Sequence, residues 1–172
     1  AHVEMDEAAC YTLKTRTAYH YLKGKKQFDE YVKYLKGETD RSTLYSLVPE
    51  SEMNSVINLA LSDENNKEIF KRIDNLLQNQ SVDLIIGGPP CQSWSLAGEM
   101  RGATDERGKL FYEYIRVLKD KKPKFFLAEN VPGIVSSTHL PEFKRIIKKF
   151  SAVGYEVSYQ VLDARNYGVP QE

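Results

Sequence analysis

Cysteine, histidine and tryptophan are scarce in this chain of 172 residues, which carries two, three and one of them respectively. Cys10 and Cys91 sit in unlike surroundings, so no disulfide framework is expected and a reducing, intracellular compartment fits better. Charge of one sign is missing as well: 24 basic residues offset 24 acidic ones. Composition therefore does not advertise nucleic-acid binding, and any such role must rest on local features. The basic clusters at Lys23–Lys26, Lys119–Lys124 and Lys144–Lys149 read as solvated helix faces and ends. Long apolar runs are absent too, none nearing the ~20 residues that cross a bilayer. The opening AHVEMDEAAC sets acids and a histidine where a secretory signal needs a basic and then an apolar stretch. Neither a signal peptide nor a membrane partner is expected.

What is present describes a soluble globular chain, 41% hydrophobic and 28% charged, long enough to bury a core. AHVEM reads as a strand end, and DEAACYTLKTRTAY as the helix after it, with Asp6 as N-cap. Phe28, Tyr31, Val32 and Leu35 have the spacing of a short amphipathic helix. GETDRSTLYSLVPESE (37–52) reads as an irregular connection, and Val56 to Leu61 as a strand. Ile69, Phe70, Ile73, Leu76 and Leu77 make one helical face. Val82 to Ile86 is a nearly unbroken apolar run, as in a parallel strand buried on both faces, and KFFLA (124–128) is the next buried strand. Between them, Leu110, Phe111, Tyr114, Val117 and Leu118 line a helix. Pro141 suits the first turn of another, whose inner face is Phe143, Ile146, Ile147 and Phe150, and YEVSYQVL (155–162) then alternates like a strand. Strands alternating with helices of this length predict a doubly wound, mostly parallel α/β sheet. No internal repeat and no low-complexity segment interrupts it.

In such sheets ligands bind beyond the carboxyl ends of the strands. At one such end stands GGPPCQSWS (87–95), where glycines permit tight backbone geometry and Pro89 and Pro90 restrict φ beside Cys91. A rigid turn around one thiol suits a positioned nucleophile, although a small buried hydrophobe is the commoner fate of a cysteine. The next strand ends in ENVPG (129–133), so a second crevice group, the Glu129 carboxyl, is delivered beside Asn130; the plainer alternative is a surface loop acid.

Together these stretches resemble the DNA (cytosine-5) methyltransferases. GGPPCQSWS is similar to their nucleophile motif, ENVPG to their Glu-Asn-Val motif, and DERGKLFYEYIRVL (105–118) to the helix between. LDARNYGVPQE (162–172) resembles the approach to their Gln-x-Arg-x-Arg motif, and HVEMDEAA (2–9) the acidic strand end that holds the cofactor ribose. The resemblance leaves out residues 20 to 60. It implies an incomplete sheet of the Rossmann-like, S-adenosylmethionine-dependent type and one catalytic domain. Residues 1–80 would supply cofactor-side elements of that domain, and residues 81–172 the nucleophile and Glu-Asn-Val elements. It implies a restriction–modification enzyme that forms 5-methylcytosine on a flipped base in double-stranded DNA. Cys91 would add to cytosine C6, Glu129 would serve N3 as a general acid, and Asn130 would brace the turn. Glu4, Met5, Asp63, Pro89 and Leu110 would face S-adenosylmethionine. At residue level Met5 is as readily a core methionine, and Asp63 a helix N-cap. Pro90, Gln92, Ser93, Ser95, Arg101 and Gln171 would lie on the DNA side, with Ser93 and Arg101 on phosphates. Trp94 reads as readily as ordinary packing. No metal is implied, and the compartment would be the cytoplasm of a prokaryote, beside the nucleoid.

Departures from the family pattern sharpen the expectation. Its opening strand with a Phe-x-Gly-x-Gly-Gly loop, its motif arginines and its target-recognition region do not occur in these residues. The chain is therefore expected to be part of a longer enzyme, or to need a second polypeptide that supplies those parts. The alternatives are a tRNA cytosine-5 methyltransferase of the same fold and a catalytically silent, methyltransferase-like module. An unrelated thiol hydrolase would need His2, His20 or His139 as base, and none lies in a motif that points at Cys91.

Overall fold

The computed structural model of the chain describes residues 1–89 and 110–171. They form two compact units, Ala1–Gln80 and Ser81–Glu172. Each holds a pair of parallel strands with helices beside it, an α/β arrangement of small parallel sheets.

In the first unit β1 (His2–Glu4) pairs in parallel with β2 (Val56–Asn58), Glu4 standing opposite Asn58. The helix α1 (Glu7–Gly24) starts where the sequence predicts, because the Asp6 carboxylate accepts from the Ala9 N–H at 2.7 Å. The helix α2 (Phe28–Leu35) likewise matches its apolar spacing. Where an irregular connection is expected, α3 (Arg41–Ser46) and α4 (Glu50–Met53) form instead. Local chemistry explains both: Asp40 accepts from the Thr43 N–H, and Pro49 precedes the first turn of α4 with acids behind it. Their apolar residues Leu44 and Met53, with Val48 between, pack against Ala18 and Leu22 of α1 to make the core. The strand expected over Val56 to Leu61 keeps three residues, as far as β1 accompanies it. The helix α5 (Asn66–Leu77) follows, burying Ile69.

In the second unit β3 (Leu84–Gly87) pairs in parallel with β4 (Phe125–Ala128), residue for residue from Leu84–Phe125 to Gly87–Ala128. On one face lie α6 (Leu110–Lys121) and α7 (Leu140–Ala152), whose Phe111, Leu118, Phe143, Ile146 and Phe150 form a core against Ile85, Phe126 and Ala128. Phe126 stacks on Phe150 with ring centres 4.6 Å apart. Pro141 falls in the first turn of α7, as its position predicts.

Burial on both faces does not hold for these strands. Leu84, Ile86, Phe125 and Leu127 are 49%, 66%, 69% and 56% exposed. Alternation (one side packed, the other open) is the pattern of a sheet covered on a single face. YEVSYQVL is not a strand, because among the described residues no strand lies beside it to share a ladder. Its alternation still places Tyr155 and Val157 inward, with the Tyr155 hydroxyl donating to the Pro123 carbonyl at 2.7 Å. Among the described residues no helix is long and apolar enough to cross a membrane.

Candidate active site

The parallel register of β3 and β4 makes the two strands end level, and the ladder continues one step further, with the Glu129 N–H donating to the Gly87 carbonyl at 3.0 Å. Glu129 is thereby held beside the Gly88–Pro89 turn. A Cβ built on Gly88 would stand 3.1 Å from the Glu129 carboxylate Oε2, so any side chain there would crowd that oxygen. Asn130 uses one end of its amide on that turn and the other on its own segment. Its Nδ2 donates to the Pro89 carbonyl at 2.7 Å and its Oδ1 accepts from the Val131 N–H at 3.0 Å. Pro89 is buried, Asn130 half-buried and Glu129 exposed. The chain thus leaves β3 through a turn clamped from the neighbouring strand end, two residues before Cys91 in sequence.

Cys91, Pro90, Gln92, Ser93, Trp94, Ser95 and Arg101 lie outside the described residues. Leu110 opens α6 half-buried, and Gln171 is exposed beyond the short 3-10 turn at Ala164–Tyr167.

In the first unit the end of β1 is fixed from three sides. The Glu4 carboxylate accepts from the Asp6 N–H at 2.8 Å. Asn58 at the end of β2 donates its Nδ2 to the carbonyls of Glu4 (3.1 Å) and Met5 (3.0 Å). The Cys10 thiol donates weakly to the Glu4 carbonyl at 3.4 Å. Met5 is 68% exposed, which removes the core-methionine reading. Asp63 is exposed, two residues before Asn65, which holds the N-cap position of α5. Burial, and secondarily the Glu4 carboxylate, push the Cys10 thiol above its ordinary pKa, so this cysteine is a poor source of thiolate.

Two contributors escape a reading of the sequence. Asn58 looks like any residue closing an apolar stretch, and only its register opposite Glu4 reveals the clamp. Tyr114 counts in the sequence as one apolar position of α6, yet its hydroxyl reaches the carbonyls of Ile85 at 3.1 Å and Leu127 at 3.0 Å. The one available signal was that a buried tyrosine needs a partner for its hydroxyl. An open cleft of about 660 Å³ along α1, lined by Tyr11, Arg16, Tyr19, Tyr31 and Arg41 among others, contains none of the residues expected to carry chemistry.

Comparison with known proteins places the chain in a family. The model of the C-5 cytosine-specific DNA methylase family matches residues 52–172. A Type II methyltransferase of Methanothermobacter thermautotrophicus is 61% identical over 104 residues, 59% of this chain and 32% of the relative. One from Fusobacterium nucleatum is 56% identical over 108 residues, 62% of this chain and 31% of the relative. One from Bacillus paralicheniformis is 35% identical over 203 residues, covering 99% of this chain and 46% of the relative. The chain thus spans less than half the length of these relatives. With the family model matching well over half of its residues, the chain belongs to the C-5 cytosine-specific DNA methylase family.

Proposed function

We propose that the enzyme containing this chain methylates cytosine at C5 in double-stranded DNA, as the modification half of a restriction–modification pair, in the cytoplasm. The observation that supports this reading best is the level ending of β3 and β4. It sets the Glu129 carboxyl beside the turn that leads into Cys91, with Asn130 tying one to the other. The fold of the whole enzyme would then be the doubly wound sheet of the methyltransferase type.

Cytosine C5 is a weak nucleophile, and the residues answer that difficulty. The Cys91 thiolate adds to C6, and the electron pair of the C5–C6 double bond moves into the ring. Glu129 donates to N3, where the displaced charge gathers, and so lowers the cost of the addition. S-adenosylmethionine, when bound, supplies an electrophilic methyl group for C5. Loss of the C5 proton to a base then expels the Cys91 thiolate, breaks the S–C6 bond, returns the N3 proton to Glu129 and restores the aromatic ring. The reacting atoms lie inside a duplex, so the base must first be flipped out, after which Glu129 also reads its Watson–Crick edge.

The residues at the end of β1 fit the cofactor's chemistry. A carboxylate held by the Asp6 N–H keeps a second oxygen for ribose hydroxyls, and the exposed Met5 side chain beside it offers an apolar surface to a purine ring. Asn58 keeps both backbone positions in place. Asp63 is the candidate for the adenine amino group, while Leu110 would pack near the cofactor and Pro89 would close its methyl side. Pro90, Gln92, Ser93, Ser95, Arg101 and Gln171 are assigned to DNA. Incubating the full-length enzyme with methyl-labelled cofactor and DNA, then digesting, should yield labelled 5-methylcytosine. Label on N4, or only in tRNA, would overturn the reaction or the substrate.

A further inference from the structure

The Tyr114 hydroxyl makes a contact that packing does not require. Its ring lies on the inner face of α6, edge-on to Phe126 and Phe150 at 6.2 and 6.3 Å between centres. One carbonyl would satisfy a buried phenol. The Tyr114 hydroxyl instead lies 3.1 Å from the Ile85 carbonyl of β3 and 3.0 Å from the Leu127 carbonyl of β4, a three-centred bond that spans both strands. Ile85 is two residues before Gly87, and Leu127 two residues before Glu129. The same ring presses on the strand end directly: a Cβ on Gly87 would fall 2.7 Å from Tyr114 Cε2, a distance real side chains do not tolerate. Gly87 is thus glycine because Tyr114 occupies the space beside it.

We propose that Tyr114 is a positioning residue, whose hydroxyl ties the ends of β3 and β4 together and so sets the reach between the nucleophile turn and the Glu129 carboxyl. The ladder bonds already hold the strands side by side, and the hydroxyl adds a tie from α6 to one carbonyl of each strand, two residues before Gly87 and Glu129. A thiol and a general acid acting on opposite edges of one ring need their separation fixed, since a misplacement of ~1 Å can cost ~100-fold in rate. Burial pushes the Tyr114 pKa well above its ordinary value, so the hydroxyl keeps its proton throughout the working range and remains a donor.

The inference rests on the proposed cytosine chemistry, and the two can be told apart with the full-length enzyme. Tyr114→Phe keeps the ring and its packing and removes only the oxygen. On DNA carrying 5-fluorocytosine, single-turnover formation of the covalent adduct should slow about tenfold, and kcat with it. KM for DNA and for S-adenosylmethionine should stay within about twofold, because neither binding surface is touched. Gly87→Ala, which drives the ring aside, should slow the same step, and the double variant should be less impaired than the product of the two. Trapping by Tyr114→Phe at the wild-type rate would overturn the inference alone, as would a raised KM with kcat unchanged. A wild-type enzyme that trapped nothing would overturn both.

Discussion

At the scale of single residues, the account turns on groups that look ordinary by composition. Glu129 is an exposed carboxyl and Asn130 a half-buried amide, yet the first lies against Gly88 and the second ties down the Pro89 carbonyl. Replacing Glu129 by Gln leaves the shape of the turn and a hydrogen bond to the base, but no proton to deliver. Turnover should fall by about 10²- to 10⁴-fold with little change in DNA affinity. Asn130→Ala should act more mildly on chemistry and also cost about 1 kcal/mol of stability, since it removes two hydrogen bonds and leaves the Pro89 carbonyl without its donor. Steady-state kinetics and thermal unfolding of both variants separate these outcomes. Equal losses in the two, all of it in stability, would mean that Glu129 does not act on the base. The motif letters single out Cys91, Glu129 and Asn130 in the sequence, and the structure describes the last two, just beyond the end of β4. Asn58 and Tyr114 were not, because their partners are backbone carbonyls on other elements, which side-chain patterns do not encode.

At the scale of elements, helices were legible and strands less so. A helix satisfies its own backbone, so a cap and an apolar stripe suffice to place it, as with Asp6 and α1. A strand exists only beside another. Val56 to Leu61 therefore shortens to the length that β1 accompanies, and YEVSYQVL keeps its alternation without becoming a strand. The short helices α3 and α4 were missed because six and four residues give no periodicity to read, although Asp40 carries the signature of a cap. That cap makes a testable statement. The Thr43 N–H, followed by the Thr43 and Ser42 side chains, pulls the Asp40 pKa below its ordinary 3.8. A carboxyl depressed in the folded state stabilises fully above the unfolded value and loses that contribution as pH falls through the folded one. Asp40→Ala should therefore lower the melting temperature at pH 7, and the gap to the wild type should narrow on acidification below about pH 4. A gap that is constant with pH would remove the cap from the account.

At the scale of the whole molecule, the open face of β3 and β4, with Leu84, Ile86, Phe125 and Leu127 unburied, was the least legible feature. A continuous apolar run says that a strand is buried without saying by what, and the described residues cover one side only. Family membership, by contrast, follows from motifs spread across the chain, and the match over residues 52–172 agrees with them. On the proposed function this chain supplies the nucleophile of a cytosine C5 methyltransferase, and Cys91, not Cys10, is that nucleophile. Cys10 is buried, with its thiol pushed up, and is spent against the Glu4 carbonyl. The direct measurement uses duplex DNA in which 5-fluorocytosine replaces the cytosines of one strand, so that the target sequence need not be known. The full-length enzyme with S-adenosylmethionine should form an adduct that survives denaturation, because fluorine cannot leave as the C5 proton does. Cys10→Ser should trap like the wild type, and Cys91→Ser should trap nothing while still binding DNA. Trapping by Cys91→Ser, or its loss in Cys10→Ser alone, would contradict the account.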